Sequence, residues 1–380
     1  MPTADELIST TTVTHLVRVL RSVAPRNRWA TVAASGATLA ERTLSERAQA
    51  IRDALLADLP DTYRPSAAIL RDALADPSFT GWMIWPVTEA VAVRALAPPH
   101  APAPADFKAG ADFKADADFE AGLGLLAELT GRLTGEFALR AFLNADLDRT
   151  LAVVLGWTTH PDEHVRRLAS EGTRPRLPWA KGVPALTRRP DATIAILDAL
   201  HRDEVEYVRR SVANHLNDLS RLDPDLAVAT ASRWLERPEP STVRLVRHAM
   251  RTLVKAAHPG AMALLGFPPP VGVSVAGPDL DRTAVPLGGE LAFEVVVGND
   301  GDRDANLVID YVVHFRKANG SLAPKVFKLA NRVLAPGQRL TLGRRHSFRP
   351  ITTRRYHPGR HAIEVQVNGV RSGMAEFDLG

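Results

Sequence analysis

Cysteine is absent from this chain of 380 residues, which excludes disulfides, cysteine-ligated zinc and iron–sulfur clusters. Long apolar runs are missing too. None approaches 18 residues, and the N-terminal MPTADELIST has neither the basic nor the apolar region of a signal peptide. A soluble, cytoplasmic protein without membrane association is therefore expected. The P-loop, the GxSxG elbow and the dinucleotide fingerprint are all lacking. The 12 histidines show no HExxH-type spacing, and His160 with His164 alone is a weak metal signal, so neither metal nor cofactor is expected. Strong overall charge is also missing. A net charge of +4 and a pI near 9.5 permit a nucleic-acid partner without requiring one.

What is present is an ordinary globular composition, 45% hydrophobic and 24% charged. A chain of this length is too long for one core and implies two or three domains. From about Val13 to Leu96 the apolar residues recur at helical spacing, with Val13, Leu16, Val17 and Leu20 forming one stripe. Thr43 followed by Glu46 is a capping box that opens a helix through Ile51, Leu55 and Leu59. A further helix is expected from Ser66 to Leu74, and Phe79, Trp82 and Trp85 read as a packed corner, core rather than site. Residues 98–122 break the pattern: PPHAPAP leads into the near-copies ADFKAG, ADFKAD and ADFEAG. Low-complexity sequence of this kind predicts an expanded loop with no catalytic content.

From Leu123 to Gly266 the helices return, and they repeat. Glu163-His-Val-Arg-Arg recurs 43 residues later as Glu206-Tyr-Val-Arg-Arg, and a looser copy, Val246-Arg-His, follows 38 residues after Val208. An apolar helix precedes each copy, at Ala145–Gly156, Asp191–Leu200 and Asp225–Leu235. Helix pairs at this spacing predict a HEAT-like solenoid whose second helices line one concave groove. Arg166, Arg167, Arg209, Arg210 and Arg247 would lie at or near that groove, although adjacent arginines fan apart by about 100° and cannot all point inward. The segment from His160 to Arg189 holds seven Lys/Arg against three Asp/Glu, a local excess as large as the net charge of the whole chain. It combines Glu171, Trp179 and Lys181 with a rigid Arg174-Pro-Arg176-Leu-Pro turn. A cationic surface holding one acid and one large aromatic suits a polyanion that carries something unusual.

At Phe267-Pro-Pro-Pro the helical signal stops, dividing the chain into 1–267 and 268–380. Beyond it the apolar residues alternate, as in Leu291-Ala-Phe-Glu-Val and Leu307-Val-Ile-Asp-Tyr, between turn signals such as Asn299-Asp-Gly, Asn319-Gly and Asn368-Gly. Six or seven short strands predict an immunoglobulin-like β-sandwich, in which Tyr356 would suit a tyrosine corner. The stretch from Arg339 to His361 carries seven arginines, Arg344, Arg345, Arg354 and Arg355 among them, and no acid. Such a run is either a solvated face or a phosphate-contacting one.

The runs HVRRLASEGTRPRLPWA, YVRRSVANHLNDLS and ELTGRLTGEFALRAFL resemble those of the AlkC-type bacterial DNA alkylation repair glycosylases, relatives of AlkD. The likeness covers about 28–96 and 123–267, and through TTRRYHPGRH and VNG it extends to the form with a C-terminal immunoglobulin-like domain. The hexapeptide repeat has no place in the family pattern. The resemblance implies hydrolysis of the N-glycosidic bond of cationic alkylated bases, 3-methyladenine and 3-methylcytosine, in double-stranded DNA without a base-flipping pocket. It places the active-site carboxylates at Glu136, Glu171 and Asp218 and the aromatic contact at Trp179. No lysine is marked out as a Schiff-base nucleophile, so a monofunctional hydrolase acting as a monomer is expected.

The chemistry is consistent with those residue types. N3-alkylation makes the base cationic, so it departs neutral without a general acid. The barrier lies in the oxocarbenium ion on the sugar and in placing the water that traps it, and carboxylates meet both needs. Trp179 could offer its π face to a cation. Plain structural readings stand beside these. Glu136 sits near a helix start, where an acid suits the dipole. Trp179 could plug the solenoid, and Asp218 could be a polar cap before the turn at Asp223. Glu171, at a helix C-terminus, has the weakest structural excuse. Arg174 and Arg176, flanking a proline, favour phosphate clamping over a surface ion pair. The rival to an enzyme is a non-catalytic HEAT-repeat protein that binds bent or branched DNA.

Overall fold

The computed structural model describes residues 3–97, 117–351 and 354–380. The chain divides into two compact units, one of residues 1–226 and 233–249 and the other of residues 227–232 and 250–380.

The first unit is helical. Val13, Leu16, Val17 and Leu20 are buried along one face of Thr10–Val23. The capping box forms at Leu44–Asp58: the Thr43 amide donates to Glu46 Oε2 at 2.8 Å, and the Glu46 amide donates to Thr43 Oγ1 at 3.4 Å. The expected helix from Ser66 begins three residues earlier, as Tyr63–Ala73. Each copy of the repeated pentapeptide opens a helix, at Glu163–Glu171 and Glu206–Leu219, and the looser copy lies in Thr242–Ala249. These three helices pack in succession. The apolar helices before them are Leu147–Gly156, Ile194–Leu200 and Pro224–Glu236.

The loop expected over 98–122 needs correction at its end; residues 98–116 lie outside the described residues. The third hexapeptide copy opens the helix Ala117–Thr130. Phe119 is buried edge-on against Phe142 at 5.2 Å, with the Arg149 guanidinium 4.1 Å from its ring centroid. Glu120, the position occupied by lysine in the other two copies, pairs with Arg149 at 2.6 Å. At Gly122 a Cβ would sit 2.5 Å from the Ala95 side chain. Composition marks this hexapeptide as low-complexity, yet its phenylalanine, acid and glycine each meet a specific partner.

Among its described residues the second unit carries eight strands: β1 Val273–Leu280, β2 Ala284–Val285, β3 Glu290–Asn299, β4 Ala305–Arg316, β5 Leu322–Leu334, β6 Arg339–Ser347, β7 Gly359–Val367 and β8 Val370–Leu379. They form a three-stranded sheet β1-β3-β6 and a five-stranded sheet β2-β8-β7-β4-β5. The eighth strand, beyond the six or seven expected, is the two-residue β2. The period of two is visible in the core. Leu291, Phe293, Val295 and Val297 of β3 belong to the same buried cluster as Leu307, Ile309, Tyr311 and Val313 of β4. Asn368-Gly369 closes the β7–β8 hairpin with both residues at positive φ, 46° and 81°, the two-residue turn that matches strand twist. Tyr356 packs its ring on Phe315 at 5.9 Å and Phe348 at 5.7 Å.

Candidate active site and nucleic-acid contacts

Glu136, Glu171 and Asp218 come together around two arginines. Glu136 is the first residue of Glu136–Ala145, and its Oε2 accepts from Arg167 Nη1 at 2.7 Å. Glu171 ends its helix, where the dipole disfavours an acid. Cations and a hydroxyl offset that. Its Oε1 accepts from Arg174 Nη1 at 2.5 Å and lies 3.7 Å from Arg167 Nη2, while Oε2 accepts from Ser211 Oγ at 2.7 Å. Arg174 reaches on with Nε to Asp218 Oδ2 at 2.8 Å. Arg167 thus spans Glu136 and Glu171, and Arg174 spans Glu171 and Asp218. Burial pushes the Asp218 carboxyl above its usual range, partly opposed by the Arg174 hydrogen bond. Burial works against the Arg174 charge, but the bond to Asp218 and the charge of Glu171 hold that guanidinium above its ordinary value.

The site depends on a polar stripe in an otherwise buried helix face. Ser211, His215 and Asp218 stand at i, i+4 and i+7 of Glu206–Leu219 and are all buried. His215 Nδ1 is 2.9 Å from the Ser170 carbonyl, which can only accept, so Nδ1 carries the proton. Nε2 then accepts from Thr193 Oγ1 at 3.0 Å. Burial lowers this imidazole to about 3, so it is neutral near pH 7 and ties two repeats together. Ser211 and His215 were missed in the sequence, although their spacing with Asp218 was there to be read.

After Glu171 the chain leaves the helix into a loop held from below by Arg140, another residue the sequence reading passed over. Arg140 is 1% exposed and forms no ion pair among the described residues. Its Nε donates to the Lys181 carbonyl at 2.9 Å, and Nη1 donates to the carbonyls of Arg174 at 2.5 Å and Gly172 at 3.3 Å. Burial lowers its pKa to about 10, leaving it charged. Asn144 adds a hydrogen bond to the Gly182 carbonyl at 3.1 Å. So supported, the loop carries Trp179 at a φ of 64° with 60% of its surface exposed. Trp179 therefore does not plug the solenoid. It borders a cavity of about 210 Å³ that Glu136, Glu171, Arg174, Leu177 and Trp82 also line. Trp82 corrects the packed-corner reading: Phe79 and Trp85 are core, but Trp82 is only half-buried.

The remaining arginines divide. Arg166 is buried, its Nε and Nη2 on the two oxygens of Asp203 at 2.6 and 3.2 Å, its Nη1 on the carbonyls of His160 and Pro161. With those donors engaged it is a strut between repeats, which corrects its expected place in the groove. Arg209 likewise donates to the Asp203 carbonyl at 2.5 Å, and Arg174 belongs to the carboxylate cluster rather than to a free phosphate clamp. Arg176, Lys181, Arg210 and Arg247 are exposed and form no ion pair among the described residues. Arg210 borders a hollow of about 250 Å³ with Arg209, Arg244 and His248. In the second unit Arg344 and Arg345 are exposed on β6. The Arg354 guanidinium lies 3.9 Å from the centroid of the Phe315 ring. Arg354 and Arg355 line a hollow of about 340 Å³ with Arg316, Lys317, Lys325 and His357, and no acid is among its lining residues. His160 and His164 serve separately, as the acceptor for the Asp162 amide and as an edge contact to Tyr207.

Three comparisons bear on this arrangement. Residues 274–380 match the family described as the C-terminal Ig-like domain of the uncharacterised protein YhaZ. Over 339 residues the chain is 34% identical to YhaZ of Bacillus subtilis (strain 168), spanning 89% of this chain and 88% of that one. Over the whole of both chains it is similar to the alkylpurine DNA glycosylase AlkC of Pseudomonas fluorescens, bound to DNA containing an abasic site analog, with 31% identity and a TM-score of 0.83. Repeated helices and β-sandwich thus fall within one pattern: the chain belongs to the AlkC-type family of bacterial DNA alkylation repair glycosylases, in the form that carries a C-terminal immunoglobulin-like domain.

Proposed function

We propose that this chain is a monofunctional DNA glycosylase that removes cationic alkylated bases, 3-methyladenine and 3-methylcytosine, from duplex DNA without flipping them. The observation that carries the reading is the gathering of Glu136, Glu171 and Trp179 on one cavity, with the two carboxylates bridged by Arg167. A cationic base leaves as a neutral species, so the site needs no acid for it. It needs fixed negative charge toward the sugar and a held water. Glu171 is the fixed charge, because both of its oxygens already accept strong hydrogen bonds. Glu136 engages Oε2 with Arg167, while Oε1 has no protein partner among the described residues and is the oxygen that orients the water. Asp218 keeps Arg174, and through it Glu171, in place. Trp179 offers its face to the developing cation.

Arg176, Lys181, Arg210 and Arg247 contact phosphates from the helical part, residues 1–267, and Arg344, Arg345, Arg354 and Arg355 from residues 268–380. Such contacts position the duplex without reading its sequence. The protein acts as a cytoplasmic monomer on the nucleoid. The test is base release from a duplex methylated at N3 of adenine, comparing wild type with Glu171→Gln. Release by wild type alone, with salt-dependent binding by both, is expected. Binding without release by either would leave a protein that recognises DNA and does no chemistry on it.

A further inference from the structure

Trp82 stands at the site by construction rather than by chance of packing. It lies in the short turn Gly81–Met83, and Gly81 takes a φ of 76°, a conformation that side-chain-bearing residues rarely adopt. The Gly81 amide and the Thr80 hydroxyl both donate to the Arg132 carbonyl, at 2.9 and 2.7 Å. Arg132 in turn donates through Nη2 to the Leu74 carbonyl at 2.6 Å. The turn bearing Trp82 is thereby fastened to the loop that feeds Glu136. Behind it, Trp82 and Trp85 lie 6.1 Å apart, and Trp85 stacks on Phe137, the neighbour of Glu136, at 4.4 Å. Trp85 Nε1 donates to Glu89 Oε1 at 3.0 Å, which fixes the inner ring. Trp85 is closed into the core, whereas Trp82 is half-buried and lines the cavity that Trp179, Glu136 and Glu171 also border.

Two indole rings, and two carboxylates against the single cation Arg174, line one small cavity, a balance that suits a positive charge better than a neutral group. Aromatic faces attract cations once water is excluded, and carboxylates supply the charge that the rings lack. We infer that Trp82 is a second aromatic contact for the positively charged centre of the substrate, sharing with Trp179 the discrimination between cationic and neutral lesions. The inference rests on the glycosylase reading and adds to it a residue that senses charge.

The experiment compares affinities for two abasic-site duplexes, one holding a protonated pyrrolidine in place of the sugar and the other a neutral tetrahydrofuran. Wild type, Trp82→Leu and Trp82→Phe are titrated with both, with Trp179→Leu as reference. Leucine keeps apolar bulk without a π face, and phenylalanine keeps a smaller face. The preference of wild type for the pyrrolidine duplex should fall roughly 3- to 30-fold in Trp82→Leu and survive largely intact in Trp82→Phe. Equal preference in all three proteins overturns the role of Trp82 while leaving the glycosylase reading standing. If wild type itself shows no preference, the charge-sensing reading falls, and Trp82 with it.

Discussion

Two pentapeptides that differ only at His164 and Tyr207 open neighbouring helices, and the molecule uses the two copies differently. Arg166 and Arg209, the first arginines, both bind Asp203, one through its carboxylate and one through its carbonyl. Arg167 holds Glu136 and lies over the Tyr207 ring at 5.1 Å, whereas its counterpart Arg210 stands exposed. Eight residues after each initial glutamate comes the decisive contrast: Glu171 in the first copy, Asn214 in the second. Asn214 meets His248 at 3.0 Å in a contact between helices. The helices also differ in length, 9 residues against 14, because the first stops where Gly172 leads into the proline-bounded loop. In the first copy the helix is shorter, its last residue is an acid, and the chain beyond it carries Trp179.

Three measurements press on that contrast. The largest effect is expected from Arg166→Ala, which strips the partner from the buried Asp203 carboxylate. Breaking a buried pair on one side costs about 3–5 kcal/mol, so the urea midpoint should fall sharply. Arg210→Ala, at the exposed second arginine, should leave that midpoint almost unchanged and lower only the salt slope of DNA binding. A drop of similar size in both variants would erase the distinction between strut and contact.

The seam between the copies should be acid-sensitive. His215 is neutral when folded, with a pKa lowered to about 3 from 6.5 by burial. Between those values the unfolded chain binds the extra proton, so stability is full above pH 6.5 and declines as pH falls toward 3. Thermal melts across that window should show the slope, and His215→Gln should flatten it. An unchanged slope in that variant would place the titrating group elsewhere.

The smallest effect concerns the end of the helix. A Cβ on Gly172 would lie 2.5 Å from Leu139 Cδ2 and 3.0 Å from the Leu168 carbonyl. Gly172→Ala should cost roughly 1–3 kcal/mol by overpacking. Because the loop begins there, base release should fall further than the melt alone explains. A variant as active as wild type would show that the loop tolerates a shift of its first residue.

Much of this was legible in advance. The 43-residue period, the capping box at Thr43 and the alternation in β3 and β4 are local patterns, and each formed close to where the residues put it. Geometry also foretold that adjacent arginines would diverge. Which of the two turned inward depended on Asp203, 37 residues from Arg166, and no local rule supplies that. The third hexapeptide copy was misread for a similar reason, since Phe119 and Gly122 acquire meaning only against Phe142 and Ala95. Phe79, Trp82 and Trp85 look alike in sequence, and tertiary neighbours alone separate two core rings from one at the cavity. Ser211 and His215 are the readable omission: with Asp218 they make a polar stripe at helical spacing inside a buried helix face.

Arg140 has one more consequence. The carbonyls of Gly172, Arg174 and Lys181 surround its guanidinium much as a crown ether surrounds an ammonium ion, host closing on guest. The backbone that displays Trp179 is in this sense templated. Its shape is written less in its own residues than in the planar cation it wraps, set by a helix more than thirty positions earlier in the chain.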